Sequence, residues 1–279
     1  MSQMDYSDLK QTINSYSKRN LEQRKNWYSR AAGAYNTARP HYPQELIRQV
    51  VEITQLSSSS KILEVGCGPA TATVDFAQLG ASMVCLEPNP DFYQLAQQNC
   101  NKYSNVEIQN IAFEEWMLEA DRFDAVLAAT SFHWVPPNVA YPKSAQALQA
   151  NGYLILLWNK ELQPRYEVYQ CLSEVYQLNA PSLDRYEDRE TQEKILQGLG
   201  QIVKDSGLFK DLVSGHVESE VTYTVDEYLT LLNTYSPYLK LCPESKEALF
   251  EGLRDEIERN FGGSLRLSYI SAFHVAQRY

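Results

Sequence analysis

Short apolar runs alternate with amphipathic stretches through the first 160 residues. Runs typical of buried strands occur at 61–65, 82–87, 105–110, 123–130 and 153–158. Between these runs, helical periodicity is present at 70–79, 89–101, 113–118 and 138–149. A regular alternation of this kind predicts a parallel, doubly wound sheet with right-handed crossovers. A ligand of such a sheet is expected beyond the carboxyl ends of the strands.

The pattern differs on either side of this alternation. An aromatic-rich helical segment from Asn20 stops at Arg39-Pro40, and a second helix is predicted to open at Pro43. In the second half, broken helical stretches cover 164–206 and 226–260. Strict alternation at 209–223 and an apolar run at 265–277 predict two late strands that form an antiparallel hairpin.

Together these elements predict the fold class. We expect an α/β, doubly wound, Rossmann-like seven-stranded sheet, mostly parallel, with an antiparallel C-terminal hairpin and helical lid insertions. Three regions are expected: an N-terminal helical cap at 1–43, a ligand-binding core at 44–160, and lid insertions with the closing strands of the same sheet at 161–279.

Composition and charge narrow the class of protein. A chain of 279 residues with 44% hydrophobic content can bury a sizeable core. A net charge of −10 argues against a broad nucleic-acid surface. No run approaches the roughly 18 apolar residues of a membrane span, and the N-terminus lacks a signal-peptide core. The five cysteines lack metal-ligand spacing, so we expect free thiols in a reducing cytoplasm and no metal site. We also expect a monomer or weak dimer.

The stretch SKILEVGCGPATAT at 60–73 is the strongest functional signal. A strand feeds a turn at Gly66-Cys67-Gly68 and then a helix N-terminus, which offers backbone amides and a positive dipole end to a ligand. Glu87 ends the next strand about 20 residues later, the spacing at which a carboxylate reaches ribose hydroxyls. The pattern predicts a nucleoside-binding βαβ unit, and a purely structural βαβ turn is the alternative.

The arrangement of Glu64, Gly66, Gly68 and Ala70 as acid-x-Gly-x-Gly-x-small resembles motif I of the class I S-adenosylmethionine-dependent methyltransferases. A dinucleotide fingerprint would instead need glycine where Thr71 stands. The resemblance implies S-adenosylmethionine as the cofactor.

Further motifs extend the resemblance along the chain. R-P-x-Y-P at 39–43, Glu87-Pro88, S-F-H-W at 131–134 and L-x-W-N at 156–159 occur in this order. They resemble the branch that includes trans-aconitate methyltransferases and many uncharacterised bacterial small-molecule methyltransferases. This resemblance implies methyl transfer to a small molecule, with a carboxylic acid as one acceptor class.

The resemblance also implies site residues. Arg39 would approach the methionine carboxylate of the cofactor, Glu87 would hold the ribose, and the loop 111–113 would enclose the adenine. Ile111 stands where the family often has an acid, so backbone contacts are expected there. The cofactor candidates are Tyr28, Tyr35, Arg39, Glu64, Gly66, Cys67, Gly68, Glu87, Pro88, Phe92, Ile111, Ala112, Phe113 and Thr130.

The sequence says less about the residues that would bind the methyl acceptor. His133 follows the fourth strand, where a base or substrate donor could stand, and a histidine that caps the loop is the alternative. Trp134, Trp158 and Tyr235 are candidates for the substrate pocket, and Tyr228 and Tyr238 could also face it. If the acceptor is an anion, the nearest cationic candidates are Arg39, His41, His133 and Arg165.

Two other functions stay open at this point. The first is an S-adenosylmethionine-binding protein without catalysis. The second is a nicotinamide-dependent dehydrogenase, which Thr71 and the lack of a hydride-transfer constellation disfavour.

Overall fold

The computed structural model describes residues 6–279, so residues 1–5 of the expected N-terminal cap lie outside the described residues. Helices precede the sheet and are α1 (Tyr6–Ser17), α2 (Leu21–Lys25), α3 (Ala32–Ala38) and α4 (Gln44–Thr54). The Asn20 side chain caps α2 by accepting a hydrogen bond of 2.8 Å from the Gln23 amide. As predicted, α3 ends where Arg39 and Pro40 begin an extended segment.

One mixed sheet forms the centre of the protein. Its strands are β1 (Lys61–Val65), β2 (Ser82–Leu86), β3 (Val106–Gln109), β4 (Phe123–Ala129), β5 (Leu148–Asn159), β6 (Gln163–Pro164), β7 (Phe209–Thr224) and β8 (Ser264–Arg278). Their order is β3-β2-β1-β4-β5-β8-β6. Strands β5 and β6 pair with successive parts of one edge of β8, and β7 pairs with its opposite edge. Strands β1 to β5 are parallel, whereas β8 is antiparallel to each of its neighbours. The predicted fold class is confirmed, with the two-residue β6 as an eighth strand.

The remaining helices lie between and after the strands. They are α5 (Thr73–Ala77), α6 (Pro90–Asn99), α7 (Pro137–Ala147), α8 (Tyr166–Asn179), α9 (Arg189–Asp205), α10 (Val225–Leu232), α11 (Ser236–Leu239) and α12 (Pro243–Phe261). Capping explains where two of them begin. Asp188 accepts from the Thr191 amide at α9, and Thr224 and Glu227 form a reciprocal capping box at α10.

One predicted helix and the boundaries of two others are wrong. The helix predicted at 70–79 starts only at Thr73, because Ala70 has a φ of 70° and belongs to the turn. The predicted helix at 113–118 is a turn in which Phe113 and Trp116 stack at 6.2 Å within the core. The helix predicted to reach 149 ends at Ala147, because the backbone already extends into β5 at Leu148.

The core explains why the β1 sequence has no polar face. Ile62 and Leu63 are both fully buried, and they belong to hydrophobic clusters on opposite faces of the sheet. Helices therefore cover both faces, as expected for a parallel sheet. A third cluster, rich in tyrosine and leucine, joins α8, α10 and α12 to β8. Helices α8, α10 and α12 thus share a core of their own, whereas α9 packs on the main core through Leu196 and Val203.

The N-terminal helices lie over the carboxyl edge of the sheet. Arg24 of α2 donates to the Trp134 carbonyl at 2.7 Å and forms an ion pair of 2.5 Å with Glu114. The Asn89 side-chain amide donates to the Lys25 carbonyl at 2.6 Å. At the other end of this region, Lys10 of α1 pairs with Asp205 of α9 at 2.8 Å. These contacts close a roof over the strand ends.

Candidate functional site

The turn after β1 requires glycine. Gly66 has a φ of +66°, and a Cβ atom there would lie 2.9 Å from the Cβ of Ser131. Gly66 and Cys67 both donate their amides to the Leu86 carbonyl, at 2.8 and 3.1 Å, which ties the turn to β2. Gly68 has a φ of +57°, and a Cβ atom on it would meet open space. The turn therefore presents bare backbone to a cavity.

Two buried carboxyl groups lie at this turn. Glu87 is 4% exposed and accepts 2.7 Å hydrogen bonds from the amides of Gly68 and Asn89. Burial raises the pKa of Glu87 to about 7. Glu64 is fully buried below the turn and accepts a 2.6 Å hydrogen bond from the Thr73 hydroxyl. Burial also raises the pKa of Glu64 to about 7, and its Oε1 has no partner among the described residues.

A cavity of about 350 Å³ opens beyond the carboxyl ends of β1, β2 and β4. Its volume is within the range of small-molecule sites. The predicted site residues that line it are Tyr28, Tyr35, Arg39, Gly66, Cys67, Gly68, Glu87, Pro88, Phe92, Ala112, Phe113, Thr130, His133, Trp134, Trp158 and Tyr235. Two of the predicted cofactor residues do not line it, because Glu64 is buried under the turn and Ile111 packs against the core.

Arg39 reaches the cavity with its guanidinium group fixed. It donates to the Thr234 hydroxyl at 2.8 Å and to the Thr234 carbonyl at 3.0 Å. The same group lies 4.0 Å from the ring centroid of Tyr235 and 4.9 Å from that of Tyr35. Arg39 has no carboxylate partner in the part of the chain that the structure describes.

The other cations that line the cavity were not predicted. Lys25 forms an ion pair with Glu115 at 3.0 Å, and Lys160 forms one with Glu187 at 2.9 Å. Arg24 pairs with Glu114, as described for the roof. Each pair joins residues far apart in the sequence, so no local pattern signals them.

His133 stands between the two predicted tryptophans. Its ring centroid is 5.7 Å from that of Trp134 and 6.0 Å from that of Trp158. Burial lowers the pKa of His133 to about 4, so the imidazole is uncharged at neutral pH. His41 and Arg165 do not line the cavity, and Tyr228 and Tyr238 line a separate cavity of about 40 Å³ that shares Tyr235 with it.

The lining fits a nucleoside cofactor with an amino acid tail. Gly68 leaves open space above the turn, and Glu87 places a buried carboxyl group beside it. Tyr28, Tyr35 and Phe92 form an aromatic wall with centroid distances of 5.1 to 5.9 Å. Within residues 6–279 no cluster of three or more His, Cys, Asp or Glu side chains could hold a metal ion. No helix among these residues is long and apolar enough to cross a membrane.

Comparison with known sequences agrees with the motif. Residues 62–152 match a family described as a methyltransferase domain. An uncharacterized methyltransferase of Mycobacterium tuberculosis is 31% identical over 132 residues, which cover 47% of this chain and 51% of that protein. The chain therefore matches about half the length of this relative. An uncharacterized methyltransferase of Schizosaccharomyces pombe is 24% identical over 224 residues, covering 80% of this chain and 83% of that protein.

Comparison with solved structures agrees on the fold. A candidate type II methyltransferase from Anaeromyxobacter dehalogenans superposes with a TM-score of 0.63 at 18% sequence identity. The superposition covers 86% of this chain and 97% of that protein. The sequence match runs from β1 to the start of β5, and this segment contains the glycine turn and Glu87. Residues 62–152 accordingly match a methyltransferase domain, and the glycine turn and acid that they carry resemble those of class I, the class that uses S-adenosylmethionine.

Proposed function

We propose that this protein transfers a methyl group from S-adenosylmethionine to a small-molecule acceptor. The observation that carries the proposal is that the glycine turn and Glu87 share one cavity with His133 and Trp158. We call the part of the cavity at the glycine turn and Glu87 the nucleoside end, and the part at His133 and Trp158 the acceptor end. Two reactants bound at these two ends would be in contact. Methyl transfer needs that contact above all, because the protein's main task is to align the reactants and exclude water.

The residues at the nucleoside end would hold the cofactor. The Glu87 carboxylate would accept hydrogen bonds from ribose hydroxyls, and Arg39 would pair with the carboxylate of the methionine part. Ala112 and Phe113 would flank the adenine. When bound, S-adenosylmethionine supplies an electrophilic methyl group.

The residues at the other end would position the acceptor. The uncharged imidazole of His133 can accept a hydrogen bond from an acceptor hydroxyl or amine. A hydroxyl becomes strongly acidic as its oxygen is alkylated, so even a weakly basic imidazole can take up the proton that is released. The roof formed by α1 and α2 would exclude bulk water from this step.

Calorimetric titration and a transfer assay test the proposal. The protein is titrated with S-adenosylmethionine, S-adenosylhomocysteine and NAD, and then incubated with methyl-labelled S-adenosylmethionine and a metabolite library. We expect both sulfur nucleosides to bind, NAD not to bind, and at least one metabolite to become labelled. Preferential NAD binding would contradict the proposal. Binding without any transfer would favour an S-adenosylmethionine-binding protein without catalysis.

A further inference from the structure

We infer that the acceptor is an uncharged molecule with an aromatic or otherwise apolar body and an oxygen that accepts a hydrogen bond from Trp158. The inference deepens the proposed function and rests on it. It also replaces the expectation of an anionic acceptor, because the walls and charges of the cavity favour a neutral one.

The walls of the acceptor end are apolar. We call the space lined by Leu9, Ile13, Val135, Trp158, Ile195 and Leu199 the apolar chamber. Leu9 and Ile13 are four residues apart on α1, and Ile195 and Leu199 have the same spacing on α9. Side chains with this spacing lie on one face of a helix, so each helix presents an apolar stripe to the chamber. Leu9, Val135, Trp158 and Ile195 are each at most 9% exposed, so these four side chains are shielded from bulk water.

The charges of the cavity leave no cation for an anionic acceptor. Among the described residues, Arg24, Lys25 and Lys160 are each engaged by a glutamate. Arg39 lacks a carboxylate partner, but the proposed function assigns it to the carboxylate of the cofactor. An anion in the apolar chamber would lose its hydration without gaining a partner, which is strongly unfavourable.

Trp158 brings an indole N–H without a hydrogen-bond partner among the described residues to the wall of the chamber. Its side chain is 7% exposed, and its indole Nε1 is buried without a hydrogen-bond partner among the described residues. A buried donor of this kind is costly unless a partner is present part of the time. Because Trp158 lines the chamber, an ester, ether, carbonyl or hydroxyl oxygen of a bound acceptor is the partner that we assign to it.

The chamber continues into a smaller apolar space. A side cavity of about 20 Å³ shares Ile13, Val135, Trp158 and Leu199 with the main cavity. Its other walls include Phe132, Pro137, Ala140 and Ile202. A methyl or similar small apolar substituent of the acceptor would fit there without meeting a charged side chain.

Two probes of matched shape and different charge test the inference. Methyl 4-hydroxybenzoate and 4-hydroxybenzoate share one body and differ in charge at pH 7, and toluene has the ring without any oxygen. Each is titrated calorimetrically into the protein with and without saturating S-adenosylhomocysteine. We expect the ester to bind at least tenfold more tightly than the acid. Equal or tighter binding of the acid, or no binding of the ester, would overturn the inference.

Two variants sharpen the test. Trp158→Phe removes the indole N–H and keeps an aromatic wall. It should therefore weaken binding of the ester at least fivefold and binding of toluene less than twofold. Equal effects on the two probes would overturn the assignment of Trp158. Leu199→Lys adds the missing cation and should shift the preference toward the acid at least tenfold. Leu178→Ala, at a side chain that is 83% exposed on α8, is the control and should leave all three affinities unchanged.

The same titrations separate this inference from the proposed function. S-adenosylhomocysteine binding reports on the nucleoside end alone. If S-adenosylhomocysteine binds and the acid binds more tightly than the ester, the proposed function is kept and the inference of a neutral acceptor is wrong. If it does not bind, the proposed function fails, and the probe titrations without it still test the character of the chamber.

Discussion

The two ends of the cavity are built in different ways. At the nucleoside end, backbone amides of the turn after β1 and of the loop after β2 hold the turn and Glu87, with hydrogen bonds of 2.7 to 3.1 Å. At the acceptor end, side chains from α1, β5 and α9 meet across long sequence separations. The first end depends on conformations that few sequences can adopt, whereas the second depends on the shape of apolar side chains. Substitutions should therefore affect the first end sharply and the second end gradually.

The largest effect is expected for Gly66→Val. Valine would need a φ of +66° and would place a Cβ atom 2.9 Å from that of Ser131, so the turn must move. We expect the affinity for S-adenosylmethionine to fall more than a hundredfold in calorimetric titration. Gly33→Val is the matched control, because its Cβ would meet nothing within 4 Å. Affinity within threefold of the wild type for Gly66→Val would show that the turn does not hold the cofactor.

Glu87→Gln should have the next largest effect. Loss of hydrogen bonds to a charged group costs about 1.5–3 kcal/mol, which corresponds to roughly tenfold to hundredfold weaker cofactor binding. Glu107→Gln, on the exposed side of β3, should change nothing. Binding of the neutral ester to the apolar chamber should stay within twofold. If Glu87→Gln weakened binding of the ester and of the cofactor to the same extent, the two ends of the cavity would not be independent binding sites.

Contacts at the nucleoside end are local in sequence and those at the acceptor end are long-range, which explains why only the former could be predicted from the sequence. The strand, the glycine turn and the acid after β2 follow one another within 30 residues, so their contacts follow from local pattern. The pairing of Arg24 with Glu114 and the docking of α1 beside α9 are long-range contacts with no local signal. The predicted helix at 113–118 is absent for a similar reason, because burial of Phe113 and Trp116 in the core outweighs helical periodicity there.

The pH dependence of cofactor binding should report on Glu87. Its pKa is raised to about 7 by burial, and ribose hydroxyls would favour the ionised form. Binding then requires loss of a proton below pH 7, so we expect the affinity to fall by up to tenfold per pH unit between pH 7 and 5. In Glu87→Gln this dependence should disappear.

Binding is a better readout than unfolding for this dependence. Raised pKa values at Glu64 and Glu87 make the folded state less stable as pH increases from about 4.5 to about 7, because only the unfolded state loses protons there. His133 and His274 have pKa values that burial lowers to about 4, and they make the folded state more stable as pH increases from about 4 to 6.5. The two contributions oppose each other over much of the same range. Cofactor affinity that is constant from pH 5 to 8 would contradict the role of Glu87.

The smallest effect is expected for Lys25→Gln. Lys25 anchors the roof through Glu115 and is 20% exposed, and a pair of this kind contributes about 0.2–1 kcal/mol. We expect cofactor affinity to weaken by no more than about fivefold, together with faster hydrogen exchange in α2. Arg48→Gln, which removes ion pairs on the exposed side of α4, should alter neither. A larger loss than that of Glu87→Gln would show that the roof contributes more to cofactor binding than Glu87 does.

A crystal structure with S-adenosylhomocysteine tests the division of the cavity most directly. We predict that the ribose hydroxyls lie within hydrogen-bond distance of the Glu87 carboxylate, and that the apolar chamber stays free of the nucleoside. We also predict that the sulfur atom faces the side of the cavity where His133 and Trp158 stand. An adenine or ribose seated among Leu9, Ile195 and Leu199, with Glu87 left without a ligand contact, would contradict the account.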